Sequence, residues 1–238
     1  MNCFDFKAIN PYLILNSSRM KMSERPKGIV CIINNHGQEG EERHGSEKDV
    51  DALVRVFSKF NWKFVNEPYF DEIYQPDPDQ DEIKALVRKV VEKGNDEIPR
   101  FVFVMAHGNK TKLKDGKGNL YDPNEIILKY FNSQNAPQLE NTLKLLVIQS
   151  CRGSLEQPSY SYDGVEPSAT SEKRNLDGYF KNTIVAHSTI QNYKAVRFPT
   201  VGTPYIQNFC KAFEQGQSLN IIDFFMDVAK RVKECRHE

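Results

Sequence analysis

The stretch Leu145-Leu146-Val147-Ile148-Gln149-Ser150-Cys151-Arg152-Gly153 decides the fold of this chain. It begins as a continuous apolar run and changes abruptly to polar residues and glycine. An apolar run of this length that ends in a turn is typical of a strand buried on both faces of a sheet. Open α/β sheets place their functional sites at the carboxyl ends of such strands. We therefore predict that Cys151 lies at the end of a buried strand, where it is placed for chemistry.

Strand and helix patterns alternate on either side of this stretch. Further strands are predicted at 28–34, 62–65, 101–105 and 183–186. Helices are predicted to begin at Ser46 (with Asp49 completing a capping box), Asp79, Asp122 and Thr203, and a last helix to run from about 218 to 233. Strands that alternate with helices indicate βαβ units and a mostly parallel sheet with helices on both faces. The predicted fold class is therefore α/β.

Composition limits the kinds of partner and compartment. The 238 residues are 39% hydrophobic, which suffices for one α/β core, and the formal net charge is zero. No basic face is indicated, so neither nucleic acid nor an anionic membrane is an expected partner. The five cysteines are odd in number and contain no C-x-x-C pair, which argues for a reducing compartment and against a zinc site or a disulfide framework. No cofactor is expected. The apolar patch at 12–15 is too short for a signal or membrane segment. We expect a cytoplasmic or nuclear protein.

A second reactive residue follows the predicted strand at 101–105, which ends in Ala106-His107-Gly108. Because the carboxyl ends of parallel strands share one edge of a sheet, we expect His107 and Cys151 to meet there. A nearby imidazole helps a thiol to become the nucleophilic thiolate. The backbone N–H groups of Gly108 and Cys151 are candidates for an oxyanion hole. The alternative is that both residues are ordinary packing residues of the core.

The segment Gln149-Ser150-Cys151-Arg152-Gly153 resembles the signature of the caspases, with Ser150 where alanine is usual and His107 lying 44 residues before the cysteine. The resemblance runs from about Gly28 to the last helix. It implies a three-layer sandwich formed by a single domain over 28–238, with residues 1–27 as a lead-in. Within that domain it implies a large-subunit-like part (28–153), a linker (154–178) and a truncated small-subunit-like part (179–238). It also implies a cysteine endopeptidase that cleaves protein substrates after aspartate, in apoptosis or related proteolytic signalling.

The same resemblance implies a pocket for the substrate aspartate, formed by Arg43, Gln149 and Arg197. Guanidinium groups make bidentate, charge-assisted bonds to carboxylates, so a pocket with two of them and no acidic partner favours aspartate. The alternative is that both arginines are ordinary surface residues. Three departures from the family pattern put the neighbouring subsites in doubt: Ala106, Val196 and the stretch 198–200.

The predicted linker contains two candidate processing sites. Asp163-Gly164 and Asp177-Gly178 each place a small residue after an aspartate in a stretch rich in Ser, Pro, Glu and Tyr. Such stretches are where proteolysis concentrates. The hypothesis is a zymogen that cleaves itself at one or both positions.

A second functional class stays open, namely a non-catalytic regulator that binds a complete caspase or its inhibitor. The resembling family continues past the last helix into a strand that pairs across a two-fold axis, and no apolar β-branched run follows Lys233 here. On that basis we expect an open sheet edge at the strand near Thr183–Ala186 or at another small-subunit segment. We also expect a weakly active monomer that gains order by pairing with a caspase partner.

Overall fold

A six-stranded sheet lies at the centre of the computed structural model, which describes residues 4–7, 28–65, 77–93, 98–156, 180–216 and 220–235. Its spatial order is β1-β8-β7-β4-β2-β3, and every neighbouring pair is parallel except β1 with β8. The strands are β1 (Phe4–Lys7), β2 (Ile29–Asn34), β3 (Lys63–Phe64), β4 (Arg100–Met105), β7 (Lys144–Gln149) and β8 (Thr183–His187), with β5 (Leu113–Lys114) and β6 (Leu120–Tyr121) in a separate antiparallel pair.

Helices cover both faces of this sheet. They are α1 (Ser46–Lys59), α2 (Gln80–Glu92), α3 (Pro123–Ile126), α4 (Pro204–Gln215) and α5 (Ile221–Glu234), with 3₁₀ turns at Leu128–Phe131 and Pro137–Leu139. One apolar cluster joins the sheet to α1, α4 and α5, and a second joins its other face to α2, α3 and the two 3₁₀ turns. Strand residues alternate between the two clusters because successive side chains point to opposite faces. The predicted three-layer α/β architecture is confirmed.

The register of the central strands fixes what lies at their carboxyl edge. Met105 at the end of β4 pairs with Gln149 at the end of β7, and Met105 also pairs with Asn34 at the end of β2. His107 and Cys151 therefore each follow a paired strand end by two residues. Three strands end in one row, so the loops that follow them converge on one edge of the sheet.

Two helix starts show where sequence patterns succeed and fail. Helix α2 begins with the expected capping box, since Asp79 accepts from the N–H of Glu82 and the Glu82 carboxylate accepts from the N–H of Asp79. The capping box predicted for α1 is wrong, because Gly45 (φ 89°) occupies the N-cap position without a side-chain cap. The side chain of Asp49 is buried and accepts hydrogen bonds from α4 and the residue before it instead.

The edge of the sheet also differs from expectation. The strand at 183–186, one of the two places where we expected an open edge, is covered, because β1 pairs with β8 in antiparallel register, from Phe4 opposite Ala186 to Lys7 opposite Thr183. Strand β1 lies in the segment 1–27, where no strand was predicted because four residues give too short a pattern to distinguish from a loop. Most of the predicted linker, residues 157–178, lies outside the described residues. Within the described ranges, no helix combines the length and apolarity that crossing a membrane requires.

Candidate active site

The segments that carry His107 and Cys151 are in direct contact. A Cβ atom placed on Gly108 would lie 3.1 Å from the carbonyl oxygen of Cys151. Backbone pairing of β4 with β7 therefore continues past the strand ends as close packing of the two following turns. The sequence prediction that these residues meet at one edge of the sheet agrees with this geometry.

The thiol of Cys151 is half-buried and lies beside a backbone hydrogen-bond donor. Its Sγ accepts a hydrogen bond from the N–H of Ala195 at 3.4 Å. The segment 190–195 that supplies this N–H is itself bonded to the turn after Cys151, through Arg152 N–H to the Tyr193 carbonyl and Asn192 N–H to the Arg152 carbonyl, each at 2.9 Å.

The imidazole of His107 is oriented by a main-chain carbonyl. Its Nε2 lies 2.6 Å from the carbonyl oxygen of Glu41. A carbonyl only accepts hydrogen bonds, so Nε2 carries the proton and Nδ1 is left as the basic nitrogen. The segment around Glu41 is anchored by an ion pair between its carboxylate and Lys114.

Charges and burial keep this imidazole neutral. Burial lowers the pKa of His107, the positive charges of Arg43 and Arg197 lower it further, and the hydrogen bond to Glu41 opposes both effects. A neutral imidazole is the form that takes a proton from a thiol. His107 is thus prepared as a base rather than as a cation.

Backbone donors are available for a developing oxyanion. The N–H groups of Gly108 and Cys151 donate to no other residue that the structure describes. Gly108 has little room for a side chain, since an added Cβ would lie 3.0 Å from both the Leu113 side chain and the Lys112 carbonyl. Glycine at this position lets a substrate carbonyl approach the backbone closely.

Arg43 is buried beside the ends of the central strands. Only 1% of its surface is exposed, and Nη1 donates to Asn34 Oδ1 at 2.9 Å and to the Asn35 carbonyl at 3.2 Å. The strand register and alternation place Asn34 and Gln149 on the same face of the sheet, on either side of Met105. The predicted pocket residues Arg43 and Gln149 therefore share the face that α1 and α4 cover.

Arg197 reaches the same region from a later part of the chain. Its Nε donates to the His44 carbonyl at 2.9 Å, next to Arg43 in sequence. Gly45 packs tightly against the residues that follow Arg197, since an added Cβ on Gly45 would lie 2.4 Å from the Phe198 carbonyl oxygen. Burial lowers the pKa of Arg197. The negative charges of Asp49 and Cys151 raise this pKa and so offset part of the effect of burial. The influence of Cys151 places Arg197 within electrostatic reach of the thiol.

A buried carboxylate lies beside these arginines, contrary to the expected pocket without an acidic partner. Asp49 accepts from the Thr203 N–H at 2.8 Å and from Gln207 Nε2 at 2.9 Å. Burial raises its pKa to about 6, while these hydrogen bonds and the charge of Arg43 act in the opposite direction. The sequence pattern predicted a capping role for Asp49, because no local pattern distinguishes a capping carboxylate from one that faces inward.

Sequence reasoning missed two contributors because both are main-chain atoms. The Glu41 carbonyl and the Ala195 N–H act without their side chains, so residue type carries no signal for them. The candidate processing sites Asp163 and Asp177 lie outside the described residues.

Known proteins match this chain over most of its length. The family model described as the caspase domain matches residues 27–238. The chain is 25% identical to human Caspase-14 over 87% of this chain and 81% of that protein, and 27% identical to Caspase-3 of Mesocricetus auratus over 86% and 71% respectively. It is also 25% identical to rat Caspase-8, of which it spans 44%. The crystal structure of Caspase-1 from Spodoptera frugiperda superposes with a TM-score of 0.67 at 21% identity, over 91% of this chain and 82% of that one, a likeness of fold.

Proposed function

The chain belongs to the caspase family, and from this membership we propose that it is a cysteine endopeptidase that cleaves peptide bonds after aspartate. The observation that carries the proposal is the hydrogen bond from His107 to the Glu41 carbonyl, at the strand end in register with Cys151. It gives the imidazole the tautomer and the orientation of a base.

The proposed reaction begins with proton transfer from the Cys151 thiol to Nδ1 of His107. The thiolate attacks the scissile carbonyl carbon, and the N–H groups of Gly108 and Cys151 hold the negative oxygen that forms. Collapse of this intermediate breaks the C–N bond, and His107 returns the proton to the leaving amine. The thioester on Cys151 is then hydrolysed by water, with His107 as general base.

Selectivity for aspartate is proposed to come from Arg197 and Arg43, with Gln149 on the same face. The terminal nitrogens of Arg197 donate to no other described residue, so its fork is available to a carboxylate. By analogy with the family, the physiological substrates are proteins with an exposed aspartate, cleaved in the cytoplasm or nucleus during apoptosis or related signalling.

The alternative is a non-catalytic regulator that binds a complete caspase or an inhibitor. It draws on Asp49, whose buried negative charge lies within reach of both arginines and opposes a second carboxylate in the pocket. The two functions differ in whether Cys151 reacts with a substrate-like electrophile.

Active-site titration with a peptidyl-aspartyl fluoromethyl ketone separates the two functions. An active protease gives one covalent adduct per chain, located at Cys151 by mass spectrometry, and the asparaginyl analogue reacts far more slowly. Cys151→Ala removes the adduct, and Cys235→Ala, which replaces an exposed thiol outside the site, leaves it intact. A folded protein that forms no adduct at Cys151 contradicts the proposed activity and favours the regulator.

A further inference from the structure

A second concave site lies on the opposite side of the nucleophile turn from the pocket of Arg43. It is a cavity of about 190 Å³ between the turn after β4, the start of α3 and the ends of β7 and β8. Strand alternation places Ile148 and Val185, which form part of its floor, on the face covered by α2 and α3. The cavity is thus separate from the substrate pocket, which faces α1 and α4.

The lining of this cavity has one sign of charge. Lys110, Lys112, Arg152 and His187 contribute basic groups, and none of the described residues that line it is acidic. Lys110 and Lys112 form no ion pair within the described part of the chain. Cations held together over a low-dielectric floor raise the local concentration of anions.

The remaining lining residues indicate the size and chemistry of the ligand. The floor is apolar, and the walls carry hydrogen-bonding side chains beside the cations: Asn109, Thr111, Asn124, Ser150 and Gln191. The volume is smaller than the usual range of drug-sized ligand pockets. An apolar floor under a basic rim suits a compact organic anion, and several cations together suit a dianion best.

We propose that this cavity binds a small organic phosphate monoester and that the bound anion alters the reactivity of Cys151. Arg152 and Gln191 line the cavity on the two segments that hold the thiol. These segments are tied by the bonds of Arg152 and Asn192 and by the packing of Gly153, where an added Cβ would lie 2.2 Å from the Asn192 carbonyl. The second segment also supplies the Ala195 N–H to Cys151 Sγ.

The hydrogen bonds between these two segments couple the cavity to the Cys151 thiol. A ligand that draws Arg152 and Gln191 together acts on both sides of a rigid, hydrogen-bonded turn, and the distance from Ala195 N–H to the sulfur changes with it. A ligand shifts a conformational balance only as far as it binds the two arrangements differently. The effect is therefore measurable on the thiol itself, whether or not the protein cleaves peptides.

The test uses phenyl phosphate as the probe and phenol, which has the same ring without the charge, as its control. We expect phenyl phosphate to bind the full chain in calorimetry and to change the rate at which iodoacetamide alkylates Cys151, followed by mass spectrometry of that peptide. Benzoate measures whether a single carboxylate suffices. Lys110→Gln with Lys112→Gln is expected to weaken binding by about 100-fold or more, because each of the two lost charged hydrogen bonds costs about 1.5–3 kcal/mol, or about tenfold or more.

The matched control is Lys211→Gln with Lys230→Gln, which removes two exposed lysines from α4 and α5 on the other face of the sheet. This variant is expected to bind like the parent protein. Equal binding by all three proteins, equal binding of phenol, or binding without any change at Cys151 would each overturn the proposal. Because both readouts are independent of peptide cleavage, a failure here is distinct from a failure of the proposed protease activity.

Discussion

The carboxylate of Asp49 accepts the N–H of Thr203 at 2.8 Å and so joins the first turn of α1 to the end of the segment that carries Arg197. Gln207 bonds the same oxygen at 2.9 Å, and an added Cβ on Gly202 would lie 2.4 Å from it. Helix α1 begins at Ser46, three residues after Arg43, so one buried acid holds together the two chain segments that supply the proposed substrate arginines.

Asp49 is expected to make stability fall as pH rises. Its folded pKa of about 6 is above its ordinary value of 3.8. The stabilisation is therefore present below pH 4 and is lost as pH rises through about 6. By linkage the loss amounts to about 3 kcal/mol. Urea unfolding between pH 4.5 and 7.5 should show Asp49→Asn gaining stability relative to the parent as pH rises.

The exposed Asp51 lies in the same helix, and Asp51→Asn is the matched control for this measurement. It should follow the parent protein across the range. A constant difference between Asp49→Asn and the parent at every pH would contradict the assignment of this titration to Asp49.

Arg197 is expected to discriminate between aspartate and asparagine in the substrate. Arg197→Ala should lower kcat/KM for an aspartyl peptide by about 10- to 150-fold, the cost of about 1.5–3 kcal/mol for a lost charged hydrogen bond. Arg197→Lys keeps the charge but loses the planar fork, so it should recover only part of the preference. Arg55→Ala, in an exposed pair with Glu214, is the control. An unchanged ratio of aspartyl to asparaginyl cleavage in both Arg197 variants would remove this residue from the pocket.

The basicity of His107 is expected to depend on the neighbouring arginines. Burial and the charges of Arg43 and Arg197 lower its pKa, so it should titrate below the ordinary value of 6.5. Arg197→Gln removes one positive charge and should move the titration toward higher pH. NMR titration of the imidazole, assigned with His107→Gln, measures this directly, and Arg55→Gln should leave it in place. A downward shift in Arg197→Gln would show that burial rather than charge dominates the change.

The strand and helix framework was predictable because it depends on local patterns. The apolar runs that became β2, β4 and β7 are buried on both faces, and their short length, their β-branched residues and the turns that bound them identify such strands. In a parallel sheet the carboxyl ends of neighbouring strands meet, so the sequence predicts that His107 and Cys151 lie at one edge.

The parts that escaped prediction depend on tertiary contacts. The hydrogen bond of His107 uses the Glu41 carbonyl, and every residue has a carbonyl. Asp49 has the spacing of a capping residue, and only the approach of Thr203 from 154 residues later shows that it faces inward. β1 is four residues long, and its place in the sheet is set by pairing with β8, which lies far away from it in the sequence.

Self-processing is expected at the two aspartates of the linker. If the proposed specificity is right, active protein should show new termini at Gly164, Gly178 or both, because each follows an aspartate in a polar stretch. Mass spectrometry of the parent protein and of Cys151→Ala, which should stay uncleaved, checks this. Asp163→Ala and Asp177→Ala should each remove one terminus. The same termini in Cys151→Ala would assign the cleavage to another protease.

The last prediction concerns the edge that β1 covers. Strand β8 is bonded to β7 on one side and to β1 on the other, over the four pairs from Phe4–Ala186 to Lys7–Thr183. Removing residues 1–7 leaves the N–H and C=O groups of β8 on that side without partners, next to the apolar side chains of Ile184 and Val185. An exposed edge of this kind recruits another strand, most simply the same edge of a second copy. We expect the parent chain to sediment as a monomer at micromolar concentration and the deleted chain to self-associate. Replacing residues 1–7 with a glycine and serine stretch of equal length separates the loss of the strand from the loss of chain length, and it should behave like the deletion. A deleted chain that stays monomeric and equally stable to urea would show that β1 does not protect this edge.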